Sequence, residues 1–183
     1  MKNTKEKFLN IALELFNTLG LSKVTLRSIA NEMGISQGNL NYHFRKREDI
    51  IETLYFQLVS NNDASMINTE KSNNILQLVF CILETIMLNF YNYRFFLLDF
   101  VQIIRENKKI KVHYSALSLQ RGNQFLVFFN LLVKTDLRKK EILPNEYQNL
   151  YKRFQILGDF WISDAENFSS KISKKQFRFI PKY

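Results

Sequence analysis

Three amides alternate along one short stretch, Gln37, Asn39 and Asn41, with Gly38 and Leu40 between them and Tyr42, His43 and Phe44 behind. An amide holds a donor and an acceptor at a fixed separation, which suits paired hydrogen bonds to the edge of adenine in a major groove. Ser36 can cap a helix starting at Gln37. On that helix Leu40 and Phe44 point inward, while Gln37, Asn39, Asn41 and His43 stay outside. The outer face is polar with little charge until Arg45, a composition fitted to base edges more than to phosphates.

The residues just upstream fit the same purpose. Thr25 is placed to cap a preceding helix whose inner face is Leu26, Ile29, Ala30 and Met33, and Gly34 supplies the left-handed exit a tight turn requires. Arg27 could reach a guanine or a phosphate, whereas Thr25, Tyr42, His43, Lys46 and Arg47 suit backbone oxygens. Gly38 allows close approach. Each amide alone would serve equally well bonded to water. A capped helix, a glycine turn, a second capped helix, two inward apolar residues and the basic triplet Arg45-Lys46-Arg47 together describe a helix-turn-helix.

A supporting scaffold can be read on either side. Asn3 and Glu6 have the spacing of a capping box for a first helix with Phe8, Ile11, Ala12, Leu15, Phe16 and Leu19 on one face, ended by Gly20. Glu48 and Asp49 favour the start of a fourth helix through Ile50, Ile51, Leu54, Tyr55, Leu58 and Val59, which Asn61-Asn62-Asp63 should weaken. Beyond Lys71 the periodicity gives long apolar helices at about 72–91, 93–107, 112–134 and 145–168, the last preceded by Pro144. With five glycines, two prolines and no Asn-Gly or Asp-Gly hairpin signal, the expected class is all-α. The expected domains are a reading domain at 1–46, a body at 47–168 whose residues 47–64 form a connecting helix, and a basic tail at 169–183.

Other function classes find little support. Cys81 has no second cysteine to pair with, and His43 and His113 stand apart without cysteine neighbours, so neither a disulfide nor a structural metal is expected. No Gly-rich phosphate loop, His-Glu-x-x-His pair or Gly-x-Ser-x-Gly elbow is present, and neither an enzyme nor a cofactor is expected. The uncharged runs at 72–83 and 122–133 are too short to span a bilayer, and Glu6 and Glu14 spoil a signal peptide, so no membrane partner and a cytoplasmic location are expected. The net charge is +9, yet residues 1–64 carry eight basic and seven acidic side chains. Charge therefore does not mark the reading end. Five basic residues fall in the acid-free tail: Lys171, Lys174, Lys175, Arg178 and Lys182.

Across about Lys5 to Leu58 the chain resembles the TetR/AcrR family of bacterial regulators, on Thr25, Ile29, Ala30, Gly34, Ser36, Gly38, Leu40, Tyr42, His43 and Phe44. The resemblance implies an N-terminal three-helix DNA-binding domain, a connecting helix, and a helical C-terminal domain that binds an inducer and dimerises. It places Thr25, Arg27, Gln37, Asn39, Asn41, Tyr42 and His43 on positions that touch DNA in family members. Asn41 stands where the family usually has tyrosine and Arg47 where it has lysine; Arg47 should still hold a phosphate, but Asn41 leaves the base preference open.

The body is rich in rings, most of them expected to be core. Glu84, Asp99, Gln102 and Gln124 are polar residues embedded in apolar runs, and with Phe96, Phe100, Phe128 and Trp161 they form the candidate set for a small-molecule effector. A carboxylate among rings would suit a cationic or hydroxylated aromatic ligand. The last helix carries Tyr147, Leu150, Tyr151, Phe154, Leu157, Trp161, Ala165 and Phe168 on one stripe, with Ile156 and Phe160 off it. A helix apolar on two sides needs a second partner. The resemblance assigns that partner to another subunit, so that a homodimer through the C-terminal helices brings two heads to half-sites of a double-stranded operator. The expected function is a DNA-binding transcriptional regulator, a repressor released by its ligand. The alternative is a ligand-independent helical module of DNA architecture or protein interaction.

Overall fold

The computed structural model describes residues 2–67 and 75–168, and every regular element among them is helical. In order these are α1 (Lys2–Leu19), a 3-10 turn (Leu21–Lys23), α2 (Leu26–Glu32), α3 (Gln37–His43), α4 (Arg47–Ile67), α5 (Ile75–Asn92), α6 (Arg94–Leu98), α7 (Phe100–Glu106), α8 (Lys108–Lys134) and α9 (Glu146–Phe168). By packing, the described chain forms two units. The first holds the residues up to Val101 together with 162–168, and the second is Gln102–Trp161. The first unit thus takes in the three N-terminal helices and also α4, α5 and α6. The basic tail at 169–183 and its five cations lie outside the described residues.

In the first unit α1 buries a line spaced by four, Phe8, Ala12 and Phe16, with Leu9 beside it. Leu9 was not foreseen, and Leu19, expected on the inner face, is exposed because the chain leaves the helix there. The helix already begins at Lys2, ahead of the Asn3 expected to cap it, and Asn3's side chain lies outside those described. Gly20 takes a φ of 80°, a left-handed backbone that strains a side-chain-bearing residue. Leu21 and Val24 then plug the core while α4 packs along α5. The Phe16 ring stacks on Phe95 at 5.1 Å and Tyr55 meets Phe96 at the same separation. Burial pushes the Tyr55 hydroxyl up to about 12.

Two expected boundaries are corrected. α4 does not weaken at Asn61-Asn62-Asp63 but runs on to Ile67, because those amides have tertiary partners: Asn61 Nδ2 donates to the Tyr93 hydroxyl at 3.3 Å and Asn62 Oδ1 accepts from Asn89 Nδ2 at 2.9 Å. The helix expected at 93–107 is two short ones separated at Asp99, whose backbone leaves helical geometry.

In the second unit one face of α8 packs on α9. At Gly122 an added Cβ would stand 3.0 Å from the Tyr151 ring. Phe125 and Phe129 stack at 4.3 Å, Tyr147 lies 5.0 Å from Phe129, and the Arg138 guanidinium covers both Phe129 and Tyr147. Between the two helices the Tyr114 hydroxyl donates to Asp159 Oδ2 at 2.5 Å, Gln155 Nε2 donates to that hydroxyl, and the Tyr151 hydroxyl donates to the Ser118 carbonyl. Burial raises the Asp159 carboxyl above its usual range, partly opposed by the Tyr114 hydrogen bond.

A raised carboxyl binds its proton more tightly folded than unfolded. Its favourable contribution is therefore complete below the ordinary carboxylate pKa and is lost as pH climbs through the raised one. Asp159→Asn keeps an acceptor for Tyr114 and should be more stable than the parent at neutral pH, with the gap closing on acidification. Thermal melts of both proteins across the mildly acid range check this; a gap that stays constant with pH contradicts it.

Candidate nucleic-acid interface

The turn between α2 and α3 is held by local chemistry. Thr25 Oγ1 accepts from the Ser28 N–H at 3.1 Å and Ser28 Oγ accepts from the Thr25 N–H at 2.9 Å, a reciprocal cap built with serine in place of the usual Glu or Gln. Gly34 takes a φ of 67° and the Ile35 N–H returns to the Ala30 carbonyl, closing α2. Ser36 Oγ then accepts from the Asn39 N–H at 3.4 Å and opens α3. Both caps fall on the residues expected for them.

α3 is anchored by a single fully buried residue, Leu40, with buried Phe44 closing its C-terminus. The opposite face is open: Gln37, Gly38, Asn39, Asn41 and Tyr42 are all exposed, Tyr42 at 75%. Among the described residues the amide side chains are left open to solvent. Arg27 on α2 and Lys46 beyond α3 are exposed too, as is Arg45.

Two expected DNA contacts turn inward. His43 is half-buried, its ring 5.2 Å from the Phe8 ring and edge-on to Tyr42, so it wedges α3 against α1 more than it faces outward. Arg47 Nη1 donates to the carbonyls of Leu21 at 3.0 Å and Val24 at 3.4 Å, and Nη2 lies 3.4 Å from Glu48 Oε1. Its guanidinium thus ties α4 to the turn ahead of α2, in place of the phosphate contact expected from the sequence. Thr25 is likewise occupied as a cap, though its side chain remains at the surface. A cation not anticipated is Lys5, whose Nζ sits 5.4 Å from the centre of the Phe44 ring and brings a charge from α1 to the end of α3. No linear signal links residues that far apart.

The effector candidates divide between the units. In the first, Phe96 is buried against Tyr55 and Phe100, Glu84 and Phe100 are half-buried, and Asp99 Oδ2 accepts from the Leu21 N–H at 3.2 Å. Asp99, a candidate ligand contact, thus spends one carboxylate oxygen on the backbone. In the second unit, Gln102 is exposed and donates to Glu106, and Gln124 is exposed and accepts from Arg121. Phe128 lines an open depression on one side of α8 with Gln120, Asn123, Gln124, Val127 and Leu131, and Trp161 is half-buried on α9. In the second unit Gln124 and Phe128 share that depression, and in the first Phe96 and Phe100 are in ring contact. Among the described residues no group of three or more His, Cys, Asp or Glu gathers as metal ligands, and no helix is long and apolar enough to cross a membrane.

The pattern of bacterial regulatory proteins, tetR family, matches residues 8–54, and the TetR pattern described as a bacterial transcriptional repressor matches residues 59–179. The chain belongs to the TetR family. This TetR-family chain is 23% identical over 186 residues to a Bacillus subtilis (strain 168) protein described as an uncharacterized HTH-type transcriptional regulator, YerO; the match covers 96% of this chain and 64% of the relative. It is 30% identical over 54 residues to the HTH-type transcriptional regulator AcrR of Shigella flexneri, covering 30% of this chain and 25% of that one. The chain thus spans under two thirds of the length of either relative.

Solved structures share the TetR-family fold. A TetR-family regulator from Marinobacter aquaeolei VT8 superposes with a TM-score of 0.81 at 23% identity, covering 90% of this chain and 80% of that one. PfmR from Thermus thermophilus gives 0.72 at 16% identity, covering 93% and 92%. A regulator from Saccharomonospora viridis, solved in complex with choline, gives 0.70 at 16% identity, covering 97% and 93%.

Proposed function

We propose that this chain is a sequence-specific DNA-binding transcriptional regulator in the cytoplasm, a homodimeric repressor that leaves its operator when a small molecule binds the helical body. The observation that carries the reading is the uncovered amide face of α3, held by one apolar anchor between two side-chain caps. Gln37, Asn39 and Asn41 read base edges, with Gly38 giving room for approach, while Arg27, Lys46, Tyr42 and the N-terminal end of α3 at Ser36 hold phosphates. Arg45 and Lys5 join them as phosphate contacts, taking over the part first expected of Arg47.

The apolar residues that α8 and α9 leave exposed support a second copy. Val112, Leu119, Val127 and Leu131 follow one side of α8, and Phe154, Ile156, Leu157 and Phe160 one side of α9, all exposed in the single chain. A twofold dimer through them places two heads about 34–36 Å apart, one helical turn of DNA. The choline-bound relative makes quaternary amines the first effector class to screen, a choice consistent with half-buried Glu84 and the rings of the body. The ligand-independent alternative predicts operator binding that no small molecule changes.

Selection of bound fragments from random-sequence DNA tests the reading directly. Gln37→Ala and Asn39→Ala should each relax preference at one or two positions of the recovered site, by about 1–3 kcal/mol for a true base contact, without altering the melting curve. Retention of the same site preference by both variants would remove these amides from the interface.

A further inference from the structure

The two peptide groups that flank Leu21 in the first unit are each gripped by a side chain. The Leu21 N–H donates to Asp99 Oδ2 at 3.2 Å, and the Leu21 carbonyl accepts from Arg47 Nη1 at 3.0 Å. One turn earlier on α1, Asn17 Nδ2 donates to the Asn92 carbonyl at 2.7 Å while its Oδ1 accepts from the Phe95 N–H at 3.0 Å. The last turn of α5 and both ends of α6 are thereby fastened to the end of α1 and to the turn that leads into α2. Beneath these bonds Phe16 stacks on Phe95.

The place of this grip gives it leverage. Gly20, in left-handed geometry, precedes Leu21, and only the 3-10 turn and Val24 separate Leu21 from the Thr25 cap of α2. The chain between α1 and the reading helices is therefore one short joint. The planes of the two peptides on either side of Leu21 set the direction in which α2 leaves it. Side-chain burial at Leu21 and Val24 fixes how deep the joint sits; it does not fix rotation of these two planes, which one hydrogen bond to each does. Asp99 is also where α6 stops and α7 starts, so its carboxylate moves with whatever shifts that break.

We propose that Asp99 and Arg47, with Asn17 as their support, are positioning residues that set the angle at which α2 and α3 are presented to DNA, with Leu21 and its two flanking peptides as the pivot. The inference rests on the DNA-binding reading above and deepens it: an effect on the body becomes a rotation of the reading head through these bonds. None of the three needs to touch DNA. The joint controls which separation of half-sites two heads can span.

The test uses the full chain and an operator selected from random-sequence DNA, re-made as a series in which the half-site separation changes by single base pairs. The parent should prefer one separation steeply. Asp99→Ala should flatten that profile, narrowing the ratio between best and neighbouring separations at least tenfold, while Asp99→Asn, which keeps an acceptor oxygen, should restore most of it. Arg47→Lys, which loses the planar guanidinium that turns Nη1 to the Leu21 and Val24 carbonyls while Nη2 lies beside Glu48, should flatten it as well and serves if Asp99→Ala does not fold. A change in fold stability alone lowers binding at every separation equally and leaves the profile intact. An unchanged profile in folded Asp99→Ala or Arg47→Lys overturns the proposal. Hydrogen exchange at the Leu21 amide without DNA should quicken in Asp99→Ala and not in Asp99→Asn. If the parent selects no sequence, the DNA-binding reading fails; unaltered exchange in a folded Asp99→Ala overturns the grip itself.

Discussion

Leu40→Ala should destabilise the protein by about 2–5 kcal/mol and abolish operator binding, the largest effect expected of a single truncation in the reading head. α3 has seven residues, too few to hold a helix in water unaided, and Leu40 is its one buried side chain, fully enclosed. Removing the isobutyl group leaves a cavity that α1 and α2 cannot close, since their facing residues are already packed. Ser36 and Phe44 would then cap a helix with no anchor. Chemical denaturation of parent and variant checks the stability; fluorescence anisotropy with the selected operator checks the binding. A loss below about 1 kcal/mol, within the range of ordinary surface substitutions, would show that α3 is held by something other than its apolar anchor.

Leu157→Glu should yield a folded monomer of 21.9 kDa whose affinity for a two-half-site operator is lower by roughly 10²–10⁴-fold, the range lost when a linked second binding event disappears. Leu157 is 62% exposed on α9, and Phe154, Ile156 and Phe160, exposed as well, lie within three residues of it. A carboxylate there meets water in the monomer and would be buried without a cation at a dimer seam, a cost that acts on association and hardly on folding. Sedimentation velocity separates the two states, and a half-site duplex supplies the control, since its binding should be unaffected. A Leu157→Glu protein that still sediments as a dimer would move the interface to another surface.

What the sequence discloses depends on the distance over which each residue finds its partner. Thr25, Gly34 and Ser36 are legible because a cap or a left-handed turn is settled within four residues, and the boundaries of α2 and α3 follow from them. Leu40 and Phe44 are legible for the same reason, through helical spacing. Asn61 and Asn62 mislead because they look like helix breakers until Tyr93 and Asn89, on other elements, absorb their hydrogen bonds. Asp99 and Arg47 mislead in the opposite way: a carboxylate among rings suggests a ligand and an arginine after a reading helix suggests a phosphate, yet both bond the backbone of Leu21, 78 and 26 residues away. His43 is caught between the two cases, polar by type but drawn toward Phe8 by a helix packing that spacing alone does not specify.

The chain's single tryptophan stands at the last residue of the second unit, and the first unit resumes with Ile162. Its emission is therefore a built-in optical reporter placed at the end of the second unit. An effector titration can be followed by indole colour without labels, whereas circular dichroism reports the helices of both units together. Disagreement between the two signals would measure how far the halves unfold independently.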